Sequence, residues 1–276
     1  MIQPYLQFYF LMQYPVPSDM ERFFVEKKMK RGTPISSLFS WKHKSPLLDA
    51  YLEEIAKHSK LYQSLPFVET IYLCNSLTFN ALHQESDIDL FIVAQPGRIW
   101  LAKFWAMWIF MFTGLKYSLG KKSKKFCLSF FITSTHQNLY ALSLPNLDIY
   151  LCYWIQHLVP LYQAGSEKAF QIYAKNKWVK GVLPNYPEQQ SIFLGNQVVS
   201  GVSKFKRFVE WLGRGVLGDL GEFFVKYLQL LVIRLKIMWD PERNKDVVTT
   251  DHMLKFHQDI REKISLKYRM LIKKSL

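Results

Sequence analysis

The clearest rhythm in the chain lies in SPLLDAYLEEIAKHSKLY, residues 45–62, where Leu47, Leu48, Tyr51, Leu52 and Ile55 recur at helical spacing. Ser45 is placed to cap that helix and Pro46 suits its first position, so one face is expected to be buried. Past Leu65 and Pro66 the period changes. VETIYLC at 68–74 and IDLFIVA at 88–94 are short runs rich in β-branched and aromatic residues, separated by the polar segment 75–86. IWLAKFWAMWIFMFTGL at 99–115 is long enough for a helix, which Gly114 and Gly120 help to break, and KFCLSFFI at 125–132 reads as a third strand. Strand, loop, strand, helix, strand predicts an α+β fold with an α/β core and buried central strands.

The flanking regions read as helical. MIQPYLQFYFLMQYPVP has no basic residue before Arg22 and no small-residue cleavage site, so it is expected to be packed structure and not a secretory signal. Pro17 and Ser18 can start a helix that Gly32 ends, giving a small helical appendage over residues 1–44. From about Leu147 the pattern turns helical again, with Asp148 near a helix start, where a carboxylate complements exposed N–H groups. Residues 181–197 read as loop, and helices are expected over 198–240 and 250–273. The last of these carries Met253, His257, Ile260, Ile264, Tyr268 and Leu271 along one stripe. The expected division is 1–44, a core over 45–160, and a helical region over 161–276.

Charge and cysteine content narrow the partners. With 36 Lys plus Arg against 22 Asp plus Glu, the net charge of +14 favours polyanions: RNA, DNA, nucleotides or an anionic membrane surface. Cys74, Cys127 and Cys152 sit in apolar company without metal or disulfide spacing, which fits a reducing cytoplasm. Two apolar stretches, 99–115 and 222–239, are interrupted by Lys103 and by Lys226, Arg234 and Lys236, so buried or half-buried helices are favoured over membrane contact.

The chemistry concentrates in CNSLTFNALHQESDIDLF, residues 74–91. Residues two apart in a strand share a face, so Asp87 and Asp89 present two carboxylates together while Ile88 faces the other way. Like charges that close call for a cation between them, and Mg²⁺ takes one or two carboxylates plus substrate phosphates. Ser76, just past the first strand, is placed to offer a hydroxyl to a phosphate held by loop N–H groups.

These residues resemble the nucleotidyltransferase superfamily with a DNA polymerase β-like palm. That family carries Gly-Ser after its first strand, a Gly four residues after the Ser, and Ser-Asp-x-Asp-hydrophobic at the start of the second strand. This chain has Asn75-Ser76, Asn80 and Ser86-Asp87-Ile88-Asp89-Leu90, with ten residues between Ser76 and Asp87. More loosely, LPFVETIYLCNSL, PGRIWL and DHMLKFHQDIRE are similar to uncharacterised bacterial nucleotidyltransferase-domain proteins. The resemblance implies a mixed sheet flanked by helices, with a nucleoside triphosphate such as ATP held by Asn75, Ser76, Asn80 and Ser86. It implies Mg²⁺ held by the catalytic pair Asp87 and Asp89, and transfer of NMP to an unknown hydroxyl on RNA, protein or a small molecule.

Two departures bear on that activity. Both motif glycines are asparagines, the non-glycine residue that best tolerates φ > 0. Active members usually place a third carboxylate on the next strand, where this chain is expected to have Ser129. No Asp or Glu occurs between Leu90 and Leu147, a stretch with seven Lys or Arg. The alternative is therefore a catalytically silent palm that binds nucleotide or nucleic acid. A metal-dependent glycosyltransferase with a DxD motif and peripheral membrane association through the basic helices near 204–238 are weaker readings. KKSKK at 121–125 is read as a solvated loop, Trp100, Trp105 and Trp108 as core, and His257 as a packed residue. Arg98 either reaches a phosphate or flanks a helix.

Overall fold

A computed structural model describes residues 46–79, 81–116, 123–145, 148–165, 171–183, 198–256 and 260–275. The helical appendage expected over 1–44, most of the 181–197 loop, Asn80 and His257 lie outside the described residues.

The described chain begins with α1 (Leu48–Lys57), whose Leu48, Tyr51 and Ile55 are buried at the spacing the sequence shows. The single turn α2 (Ser59–Tyr62) leads into β1 (Val68–Leu73). After the polar loop come β2 (Ile88–Ala94), α3 (Ile99–Phe112) and β3 (Phe126–Thr133). Gly114 at φ 69° closes α3, a left-handed position that suits glycine. Two 3₁₀ turns precede α4 (Ile149–Gln156), which Asp148 caps by accepting from the Leu151 N–H.

The chain then departs from an all-helical reading. Residues Val159–Gln163 form β4, which is followed by α5 (Gln171–Lys175), α6 (Val179–Val182) and a short β5 (Val199–Ser200). Helices α7 (Lys204–Leu212) and α8 (Gly215–Trp239) fill the expected region, and the turn α9 (Pro241–Asn244) ends it. The helix expected to begin at 250 is instead the hairpin β6 (Val248–Thr249) and β7 (Met253–Lys255), and α10 (Arg261–Ser275) starts only beyond it.

Backbone pairing explains both corrections. Pro160 has no N–H to continue a helix, and in the sheet it stands opposite Tyr72 beside a register irregularity, where a missing donor is tolerated. Leu254 is wholly buried because β7 pairs antiparallel with β3, Phe131 opposite Leu254, and that burial overrides the helical period of the segment.

The result is an α+β fold. The described strands form one mixed seven-stranded sheet in the order β5-β4-β1-β2-β3-β7-β6. β1 and β2 are antiparallel, whereas β2 and β3 are parallel and joined through α3. Both faces of the centre are covered. One face carries Ile71, Leu73, Leu90 and Ile92 against α1, α3 and the inner side of α8; the other carries Tyr72, Phe91, Val93 and Phe130 against α4.

Trp100 is core, but Trp108 is 40% exposed, because it lies on the side of α3 that nothing in the described structure covers. Among the described residues no helix is long and apolar enough to cross a membrane.

Candidate functional site

Burial along 87–90 alternates as the sequence requires: Ile88 and Leu90 are sealed in one core layer, and Asp87 and Asp89 are half-buried on the opposite side. That side is the face of Phe91 and Val93, so the two carboxylates open under α4. There they border a cleft of about 320 Å³ lined also by Asn75, Cys127, Ser129, Trp154, Lys255 and Arg261. Of the residues the sequence brings forward, Asp87, Asp89, Ser129 and Asn75 line this cleft, and Ser76 does not.

The parallel pairing of β2 and β3 sets Cys127 directly beside Asp89. Asp87, Asp89 and Cys127 each bring one potential ligand atom within 4.8 Å of the others. The sequence assigns Cys127 no metal-ligand role, for want of ligand spacing, and points to Ser129 as the third position. The available signal was the two-residue period, since Cys127 shares the face of Ser129.

A chain of hydrogen bonds orders the cluster. Asn75 stands at φ 59°, a left-handed conformation that asparagine tolerates, and its side-chain oxygen accepts from the Trp154 indole N–H at 2.9 Å. Its amide nitrogen is thereby turned to Asp89, which also accepts from the Cys127 thiol, while Ser129 bonds to Cys127. Burial, and then the charge of Asp87, push the Asp89 carboxyl well above the ordinary carboxylate range, against the two hydrogen bonds. Burial likewise pushes the Cys127 thiol up, with the charge of Asp89 adding to it.

The loop residues divide by role. The Ser86 hydroxyl accepts from the His83 N–H at 3.0 Å, and its carbonyl takes the Tyr51 hydroxyl at 2.6 Å, so this buried serine organises the loop. The Ser76 carbonyl closes the same loop by accepting from Ala81 N–H at 2.8 Å, and its side chain is not among those lining the cleft. Arg98 binds Asp219 at 2.8 Å and the Gly213 carbonyl at 3.2 Å, fastening the loop after β2 to α8 instead of facing the cleft. Of the basic run 121–125, Lys124 donates its backbone N–H to Ser86 and Lys125 its amine to Gly114.

The fold and site together define a mixed α+β protein with a half-buried two-carboxylate, one-thiol cleft lined also by Lys255 and Arg261. No protein-family model, curated protein or solved structure matches the chain.

Proposed function

We propose that this cleft binds a divalent cation and a nucleoside triphosphate, and that the protein is a nucleotidyltransferase moving NMP to a hydroxyl acceptor. The observation that carries this reading is the convergence of Asp87, Asp89 and Cys127 within 4.8 Å. Two carboxylates that close, with Asp89 disfavoured as an anion by burial and then by its neighbour, are the donor set a hard cation relieves. The cation would orient phosphates and neutralise charge developing on them.

Asp87 and Asp89 hold the cation, and Lys255, on the same cleft, supplies positive charge to the phosphate chain, beside an Arg261 that Asp148 holds in place. The acceptor hydroxyl releases its proton to solvent as its oxygen bonds to the α-phosphorus, the bond to the bridging oxygen breaks, and pyrophosphate leaves. Mg²⁺ suits the carboxylates, while Cys127 adds a soft donor that manganese or zinc accepts more readily. The three thiols are free, in keeping with the reducing cytoplasm proposed as its compartment.

A second reading, nucleotide binding without transfer, is favoured by one observation. Between Leu90 and Leu147 the chain has no carboxylate, and Cys127 and Ser129 occupy the cleft positions on β3. Incubation with each α-labelled NTP, Mg²⁺ or Mn²⁺ and cell extract is expected to label an acceptor, with the label lost in Asp87→Ala. Absence of label with every nucleotide and metal overturns transfer. Calorimetric titration of the same nucleotides then decides between silent binding and neither.

A further inference from the structure

Helix α8 is apolar on two sides. One side, with Gly218, Gly221, Val225, Gln229 and Ile233, lies on the body of the protein against α3. On the other, Leu217, Leu220, Phe224, Leu228, Leu231, Leu235 and Met238 recur every three or four residues along 25 residues, about 37 Å, and all are exposed. Phe224 is 67% exposed and Met238 77%. Phe208 and Trp211 of α7 and Phe112 of α3 are exposed as well. Scattered surface leucines need no explanation; a continuous aromatic and aliphatic stripe of this length marks an interaction surface.

Its charge indicates the partner. Residues 204–239 hold seven Lys or Arg and three carboxylates. All three carboxylates are engaged with the body: Glu210 accepts from the Phe67 N–H, Glu222 from the Trp100 and Leu101 N–H groups, and Asp219 binds Arg98. Lys204, Arg207, Arg214 and Arg234 are exposed beside the apolar stripe. Trp239, 92% exposed, ends it, and Tyr227 lies in its middle, the amphipathic rings that settle at a lipid–water boundary.

We infer that the outer face of α7 and α8 is a docking surface for an anionic lipid bilayer, with α8 lying flat in the headgroup region. An apolar stripe flanked by cations, with each of its anions paired to a group of the body, complements that surface. Pairing with a second copy would bring two net-positive helical layers together without neutralising either. The candidate cleft opens on the opposite face of the sheet, under α4, so a protein docked through α8 leaves it accessible to a soluble substrate.

Flotation of the full chain with phosphatidylcholine vesicles, with and without one quarter phosphatidylglycerol, tests this. The wild type is expected to float with the anionic vesicles and to remain below with neutral ones. Arg207→Glu/Arg234→Glu is expected to lower the partition constant about ten-fold or more. Phe224→Glu/Leu231→Glu is expected to abolish flotation while circular dichroism stays native. Failure of the wild type to float overturns the inference, as does equal flotation with neutral vesicles. A lipid-independent dimer that Phe224→Glu dissociates, seen by analytical ultracentrifugation, overturns it in favour of self-association.

Discussion

Asp148 is wholly buried, and a carboxylate there is tolerated only when its oxygens are occupied. One oxygen caps α4 through the Leu151 N–H, and the other takes the Leu144 N–H at 3.2 Å and the Arg261 guanidinium at 2.9 Å. Arg261 also donates to the Leu142 carbonyl, so this one carboxylate fixes the start of α10, the loop before α4 and a cation on the cleft wall. Asp148→Ala removes a cap and strands a largely buried guanidinium, for an expected loss of about 3–5 kcal/mol. Denaturant midpoints measure it. The double variant Asp148→Ala/Arg261→Met should lose less than the sum of the single changes, because the orphaned charge goes with its partner. The helix start at Asp148 was legible because capping is local chemistry. The pairing with Arg261 was not, since it spans 113 positions of sequence.

Among elements, the long ones were legible and the short ones were not. β1, β2, α3 and β3 show their period within one window, and the two-residue alternation put Asp87 and Asp89 on one face. β5, β6 and β7 have two or three residues each, too few to show a period, and they are strands only because β4, β3 and each other supply partners. Cys127 stayed hidden for a related reason. Its place beside Asp89 depends on the parallel register of β2 and β3, which shifts between Asp89 and Phe91.

The elbow between α7 and α8 makes a testable case of element packing. A Cβ at Gly218 would fall 1.9 Å from the Gly213 carbonyl oxygen and 2.7 Å from the Arg98 guanidinium, so Gly218→Ala must move backbone. A loss of roughly 1–3 kcal/mol is expected. One turn on, a Cβ at Gly221 meets nothing nearer than Leu101 at 3.9 Å, and Gly221→Ala should stabilise α8 by up to about 1 kcal/mol through helix propensity. Thermal unfolding of the two variants should move in opposite directions.

At the scale of the whole molecule, the sheet and the α8 layer meet over Lys103. This amine, on α3, donates to Gln229 of α8 at 2.6 Å and lies 4.7 Å over the Phe256 ring just past β7. Burial, with Lys236 and Lys116 adding repulsion, pushes its pKa down from 10.5 to about 7. Below pH 7 the amine is charged in both states and the folded state bears the full cost of burying it. Above pH 7 the folded protein releases the proton that the unfolded chain keeps until about 10.5, so stability rises with pH. Between pH 7 and 8.5 the gain from this group is roughly 1.5 kcal/mol. Higher pH is a poorer window, because burial also raises the pKa of Cys74 and Cys127, and the unfolded chain ionises those thiols first, which destabilises the fold. Urea unfolding at pH 7, 7.5, 8 and 8.5 should show the rise in the wild type. Lys103→Met, which keeps most of the packed volume and removes the titrating amine, should flatten the curve over the same window. A Lys103→Met curve as steep as the wild type would place the pH dependence in the general relief of a +14 surface instead of at this buried junction.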